Sequence, residues 1–201
     1  MKHATRVLLL LVIATFVVVE PLIAQDSDPG RVQQKFVSSG SIRMHLEAGD
    51  YTIEGTDATD IVATYRARDV EDLKKIKVNI KTSGSNAELW VKGTPHNDFH
   101  ATIEVPRLSS LWTRLSAGNL SIKGVEGDKD VECHAGNVEI EVAHPEDYRH
   151  RDASVTAGSI DAAAFNVSKD GLFRSFRQDG EGKYRLHVHL AAGDVTLRGP
   201  S

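Results

Sequence analysis

The chain has 201 residues and a formal net charge of -4, enough for one domain of ordinary size, or two small ones, with a real core. That mild acidity, with no Lys/Arg stripe interleaved with aromatics, excludes nucleic acid as a partner. A single cysteine, Cys133, excludes an internal disulfide.

Lys2 and Arg6 precede an apolar run from Val7 to Val19, and Ala24-Gln25 offers a small residue at a cut. Residues 1–24 are therefore expected to be a secretory signal peptide. Leu22 and Glu20 depart from the usual pattern, and an uncleaved membrane anchor is the alternative. Glu20 and Pro21 shorten the apolar run, which favours cleavage, and no Cys follows it to carry a lipid. Residues 25–38 hold Asp26, Asp28, Pro29 and Gly30 and are expected to form a disordered leader. Residues 39–201 then form one β-repeat domain.

Strand-like alternation starts near Ile42 and recurs to Leu197. Strands are expected over Ile61 to Ala67, Ile76 to Ile80, Leu89 to Val91 and Ala101 to Val105. Turn signals separate them at Asp57 to Asp60, Ser83 to Asn86 and Gly93 to Asp98. Val70 to Lys75 allows one helical turn. Nothing else in this region keeps a period of 3.6, so the class is all-β.

Ala-Gly followed by Asp, Asn or Ser recurs five times, with the glycines at Gly49, Gly118, Gly136, Gly158 and Gly193. Before each glycine, apolar residues alternate and end on the Ala: Ile42, Met44, Leu46, Ala48, or Leu186, Val188, Leu190, Ala192. After it, alternation resumes one position out of phase: Tyr51 and Ile53, Leu120 and Ile122, Val138 and Ile140, Ile160 and Ala162, Val195 and Leu197. A straight strand would turn the second set toward water. A corner or bulge at each glycine keeps both sets inward. Five strand–corner–strand units predict a β-solenoid or β-roll of stacked short strands, in which each repeat rests on its neighbours. The alternative is a bulged antiparallel β-sandwich. The segment from Phe165 to Gly182 holds either an unmarked coil or a loop. The Asx or Ser after each glycine is expected to accept bonds from backbone N–H groups left free at the corner. A calcium ladder would need Gly-Gly-x-Gly-x-Asp every nine residues, which is absent.

Chemistry is sparse. Cys133 lies on the inward parity and reads as a small buried hydrophobe. His187 and His189 share one strand face, and could hold a metal only with a third ligand from a neighbouring strand. Residues 144–152 gather His144, Glu146, Asp147, Tyr148, His150 and Asp152, groups that glycan-cleaving enzymes use. A solvated connection explains the same composition. Trp90, Trp112, Tyr51 and Tyr65 would stack on sugars if exposed, but Tyr51 takes an inward slot. Trp112 is out of phase with inward Leu111, and is the aromatic expected to face out and bind. No phosphate loop, dinucleotide fingerprint, nucleophile elbow or zinc-protease helix occurs, so no catalytic residue, cofactor or metal is expected.

Leu46 to Gly55, Ile103-Glu-Val-Pro106, Ser116 to Gly124 and the final Ala-Gly-Asp-Val-Thr-Leu-Arg-Gly199 resemble the bacterial putative-adhesin domain family of unknown function. The resemblance implies a β-solenoid-like fold and an envelope or surface location, and carries no catalytic residues.

The expected protein is an exported, non-enzymatic β-repeat module of the bacterial periplasm or cell surface. Its expected partner is an envelope or surface protein or glycan, with self-association through sheet edges as a further route. A polysaccharide lyase or hydrolase using residues 144–152 is one alternative. An envelope sensor binding a glycan or peptide through Trp112 is the other.

Overall fold

The computed structural model describes residues 30–200. The expected signal peptide lies outside them. Among the described residues strands take 68% and helix 6%, which makes the class all-β. In chain order the strands are β1 (Gly30–Lys35), β2 (Ser41–Leu46), β3 (Asp50–Thr56), β4 (Asp60–Arg66), β5 (Lys77–Ser83), β6 (Asn86–Lys92) and β7 (His100–Pro106). The long strands follow: β8 (Ser110–Lys123), β9 (Lys129–Glu141), β10 (Tyr148–Ala162), β11 (Val167–Asp179) and β12 (Tyr184–Arg198). Among the described residues, helix is confined to one turn, α1 (Val70–Leu73), and two 3-10 turns at Pro145–Asp147 and Ala163–Phe165.

All twelve strands join one open mixed sheet. Its centre is the parallel run β8–β9–β12–β10, in which the repeats lie in register: Gly118 faces Gly136, and Gly136 faces Gly193. On the far side of β8, β2 pairs with its first half and β3 with its second. β6 and β5 extend the first half, and β7, β4 and β1 extend the second. The glycine line thus divides the sheet into two arms.

Both arms turn their apolar faces into one core. Met44, Leu115, Cys133, Leu190 and Val155 come from the first arm, and Tyr51, Leu120, Val138, Val195 and Ile160 from the second; all are buried. Full burial of a Val, Leu or Ile side chain contributes about 1.5–3 kcal/mol, so the phase change at each glycine is worth several side chains per repeat. The inward set before the corner ends earlier than the sequence suggests. Leu46, Leu115, Cys133, Val155 and Leu190 close it; the Ala beside each glycine is partly exposed in four copies and exposed at Ala192. In four of the five copies the corner is also a bend inside one continuous strand; only β2 and β3 are separated by it.

The glycines are required at this line. Their φ values are positive, from +113° at Gly118 to +153° at Gly49. A Cβ on Gly136 would lie 1.8 Å from the carbonyl oxygen of Gly118, and one on Gly193 would lie 1.7 Å from that of Gly136. Backbone approaches backbone this closely only where no side chain intervenes. The Asx side chains beside them bond across strands, to side chains as well as backbone. Asn119 Nδ2 donates to Asp50 Oδ1 at 2.7 Å, Asn137 Nδ2 to Asn119 Oδ1 at 2.9 Å, and Ser159 N to Asp194 Oδ1 at 2.9 Å.

Two expectations are corrected, and one open alternative is decided. Residues 30–35 of the expected disordered leader form β1, paired antiparallel with β4. Its residues alternate between half-buried and exposed, so a polar sequence serves as an edge strand with one face wet. Repeats do not stack in sequence order, because β12 sits between β9 and β10. The segment after Phe165 is the antiparallel edge strand β11, with Gly171 facing Gly158.

Candidate functional site

Outside the core, the sheet presents two surfaces. On the first arm, side chains pointing away from the core align in register across strands. One row runs Arg43, Trp112, Asp130, His187, Asp152, Arg177; the next runs Trp90, His45, Arg114, Glu132, His189, Ser154. His45 stacks on Trp90 (centroids 5.9 Å apart, planes 8° apart) and meets Trp112 edge-on at 5.1 Å. The Arg114 guanidinium carbon lies 3.8 Å from the Trp112 ring centroid, and that of Arg43 lies 5.4 Å away. Trp112 thus occupies the outward row. It is half-buried, and protein cations lie over its ring where a sugar would have to stack.

Arg114 also spans two carboxylates, with Nη1 2.8 Å from Asp130 Oδ1 and Nε 2.8 Å from Glu132 Oε2. His187 Nδ1 lies 3.0 Å from Asp152 Oδ1, and His189 Nδ1 2.9 Å from Ser154 Oγ. Asp130, Glu132 and His187 each bring one atom able to ligate a metal within 4.8 Å of the others. The strand neighbour that the His-x-His pair lacked in sequence is therefore β9.

On the second arm, a groove of about 760 Å³ runs beside the Asx ladder. Its floor is one transverse row, Thr64, Thr102, Thr52, Ser121, Glu139 and Thr196, supplied by six adjacent strands. At the strand spacing this row is roughly 24 Å long. Asp50, Asn119 and Asn137 form one wall, and Tyr65, Arg66 and His100 belong to the other end of the lining. The acids in the groove have partners. Asp50 lies 3.5 Å from His100, and Glu139 pairs with Arg198.

Residues 144–152 do not form a single loop. His144 pairs with Glu146 at 3.5 Å, His150 with Asp179 at 2.6 Å, and Asp152 with His187 and Arg177, while Tyr148 turns inward. Glu146 and Asp152 thus serve different partners at opposite ends of the segment. Cys133 is buried on the inward row, and burial raises its thiol pKa.

Lys129 gave no signal in the sequence. It occupies an inward position of β9 and is 1% exposed. Its Nζ donates to Val125 O at 2.7 Å and bonds the Tyr148 hydroxyl. Burial lowers its pKa to about 8, and raises that of Tyr148. The group closes one end of the core.

No protein-family model matches this chain, and no curated protein is a significant match. Its fold is similar to that of a crystal structure described as a putative cell adhesion protein from Clostridium sporogenes, with a TM-score of 0.54 and 12% identity over 86% of this chain and 100% of that one. A structure described as a putative adhesin from Bacteroides fragilis aligns over 86% of this chain and 98% of its own, at 12% identity and a TM-score of 0.34. At these identities the first likeness establishes a shared all-β fold, and no residue roles. Among the described residues, no helix is long and apolar enough to cross a membrane.

Proposed function

We propose that the chain is an exported, non-enzymatic adhesion-type module of the bacterial envelope, and that it binds an extended polar chain, a surface glycan, along the groove of the second arm. The observation that carries this reading is the row of hydroxyls and one carboxylate crossing six strands beside the Asx ladder. Such a row offers donors and acceptors at regular intervals, the pattern that a hydroxyl-rich chain can match. The fold shared with a protein described as a putative cell adhesion protein supports the same reading, as does the apolar run near the N-terminus. The parallel, in-register centre of the sheet fits a short β-roll, a scaffold that holds such a row rigid. That Asp50 and Glu139 are held by His100 and Arg198 argues against a pair of free carboxylates working on a glycosidic bond.

The test is binding to purified bacterial envelope and host-surface polysaccharides by titration calorimetry. Thr102→Arg and Ser121→Arg place bulk on the outward row without entering the core. Each is expected to weaken binding at least tenfold. No binding by the unaltered chain, or binding indifferent to both substitutions, refutes the groove as the site.

A further inference from the structure

We propose that Asp130, Glu132 and His187 form a site for a zinc-class divalent metal ion on the outward face of the first arm. This departs from the sequence-based expectation of no metal, and it does not depend on what the groove binds.

The ligand set comes from two adjacent strands in strict register: Asp130 faces His187, and Glu132 lies two residues further along β9 on the same face. One ligating atom from each already lies within 4.8 Å of the others. Donors around a tetrahedral ion at about 2.1 Å lie about 3.4 Å apart, so small side-chain rotations, with Arg114 released from the two carboxylates, close the site. The side chains are 44%, 47% and 43% exposed, which leaves room for water to complete the coordination.

A further feature lies outside the ligand set. Asp152, on β10, holds His187 Nδ1 at 3.0 Å and leaves Nε2 as the ring nitrogen free of that carboxylate. A carboxylate behind an imidazole fixes the ring and its tautomer, the arrangement that metal-bound histidines share. One nitrogen with two carboxylates favours zinc or a similar transition ion over magnesium or calcium, which prefer oxygen alone.

Arg114 is the competing cation, since it bonds both carboxylates. It neutralises one of their two charges, and the Trp112 ring at 3.8 Å holds its guanidinium on the β8 side, away from β12. Across the two rows Asp130, Glu132 and Asp152 are balanced by Arg43, Arg114 and the exposed Arg177, so the ion is held by its ligands and by release of Arg114, not by a net negative field.

The experiment is calorimetric titration of the purified, untagged chain with zinc chloride, repeated with cobalt chloride to read the visible absorption of the bound ion. One equivalent is expected, in the micromolar range. His187→Ala and Glu132→Gln should each weaken it at least tenfold, while the unliganded variants keep the unaltered thermal midpoint. Arg114→Gln should tighten binding, an effect that a purely structural ion-pair network would not give. His144→Ala, remote from the cluster, should change nothing. No binding below millimolar zinc, or an isotherm unaltered by both His187→Ala and Glu132→Gln, overturns the proposal.

Discussion

The carbonyl oxygen of Gly118 lies 1.8 Å from where a Cβ on Gly136 would stand. The same relation is repeated from Gly49 to Gly118, from Gly136 to Gly193 and from Gly193 to Gly158, so five backbones nest with no side chain between them.

Gly136→Ala is therefore expected to cost at least ~3 kcal/mol, since the backbone of β8 must move and the new side chain must also take a φ of +135°. Gly84→Ala is the control. Its φ of +57° is also left-handed, but nothing lies within 4 Å of the added methyl, so the loss should be about 1–2 kcal/mol. Urea unfolding of both variants measures the difference; equal losses would refute the nesting.

Lys129 gives a pH signature. Its folded pKa of about 8 lies below the ordinary value of 10.5, so the unfolded chain holds the proton more tightly. Stability from this group therefore rises as pH increases through that interval, by about 3 kcal/mol in total, and the burial cost is complete below pH 8. Lys129→Met should lose that slope. Unfolding free energies of the two proteins compared at pH 7.5 and 9.5 test it, and parallel curves would refute it.

Thr113 stands in the core row of β8 between Leu111 and Leu115. It is 0% exposed, and its hydroxyl has no hydrogen-bond partner among the described residues. Thr113→Val removes that unsatisfied group at nearly constant shape and should stabilise the protein by about 1 kcal/mol. A loss of stability in urea would show that the hydroxyl is bonded.

Phe173 on β11 has a φ of +53° and is 79% exposed. A bulky residue is strained there, and Asn tolerates that region. Phe173→Asn should raise stability by about 0.5–1 kcal/mol and lower any self-association through the β11 edge. Thermal unfolding and sedimentation velocity would measure both effects.

Strand class and the glycine line were legible because alternation and its phase slip are local properties of the chain. Partner choice is not local. Trp90, His45 and Trp112 meet although they belong to three separate strands, and only register brings them together. Gly171 escaped notice for a related reason. β11 runs antiparallel, so its copy of the corner reads backwards, Asp170 before Gly171, opposite Ser159 and Gly158. Lys129 was hidden because a charged residue in an inward slot looks like a break in the pattern, whereas here its ammonium finds the Val125 carbonyl and the Tyr148 hydroxyl.

The position of β12 governs how the molecule can be assembled. The strand formed last in chain order fills the slot between β9 and β10, so the β10–β11 hairpin has nothing to dock on until Tyr184–Arg198 arrives. Growth by simple addition from one end is ruled out, and cooperativity is enforced by topology. A nascent polypeptide with this wiring stays unfinished at the centre of its sheet until Tyr184–Arg198 emerges, then closes around that strand as a keystone.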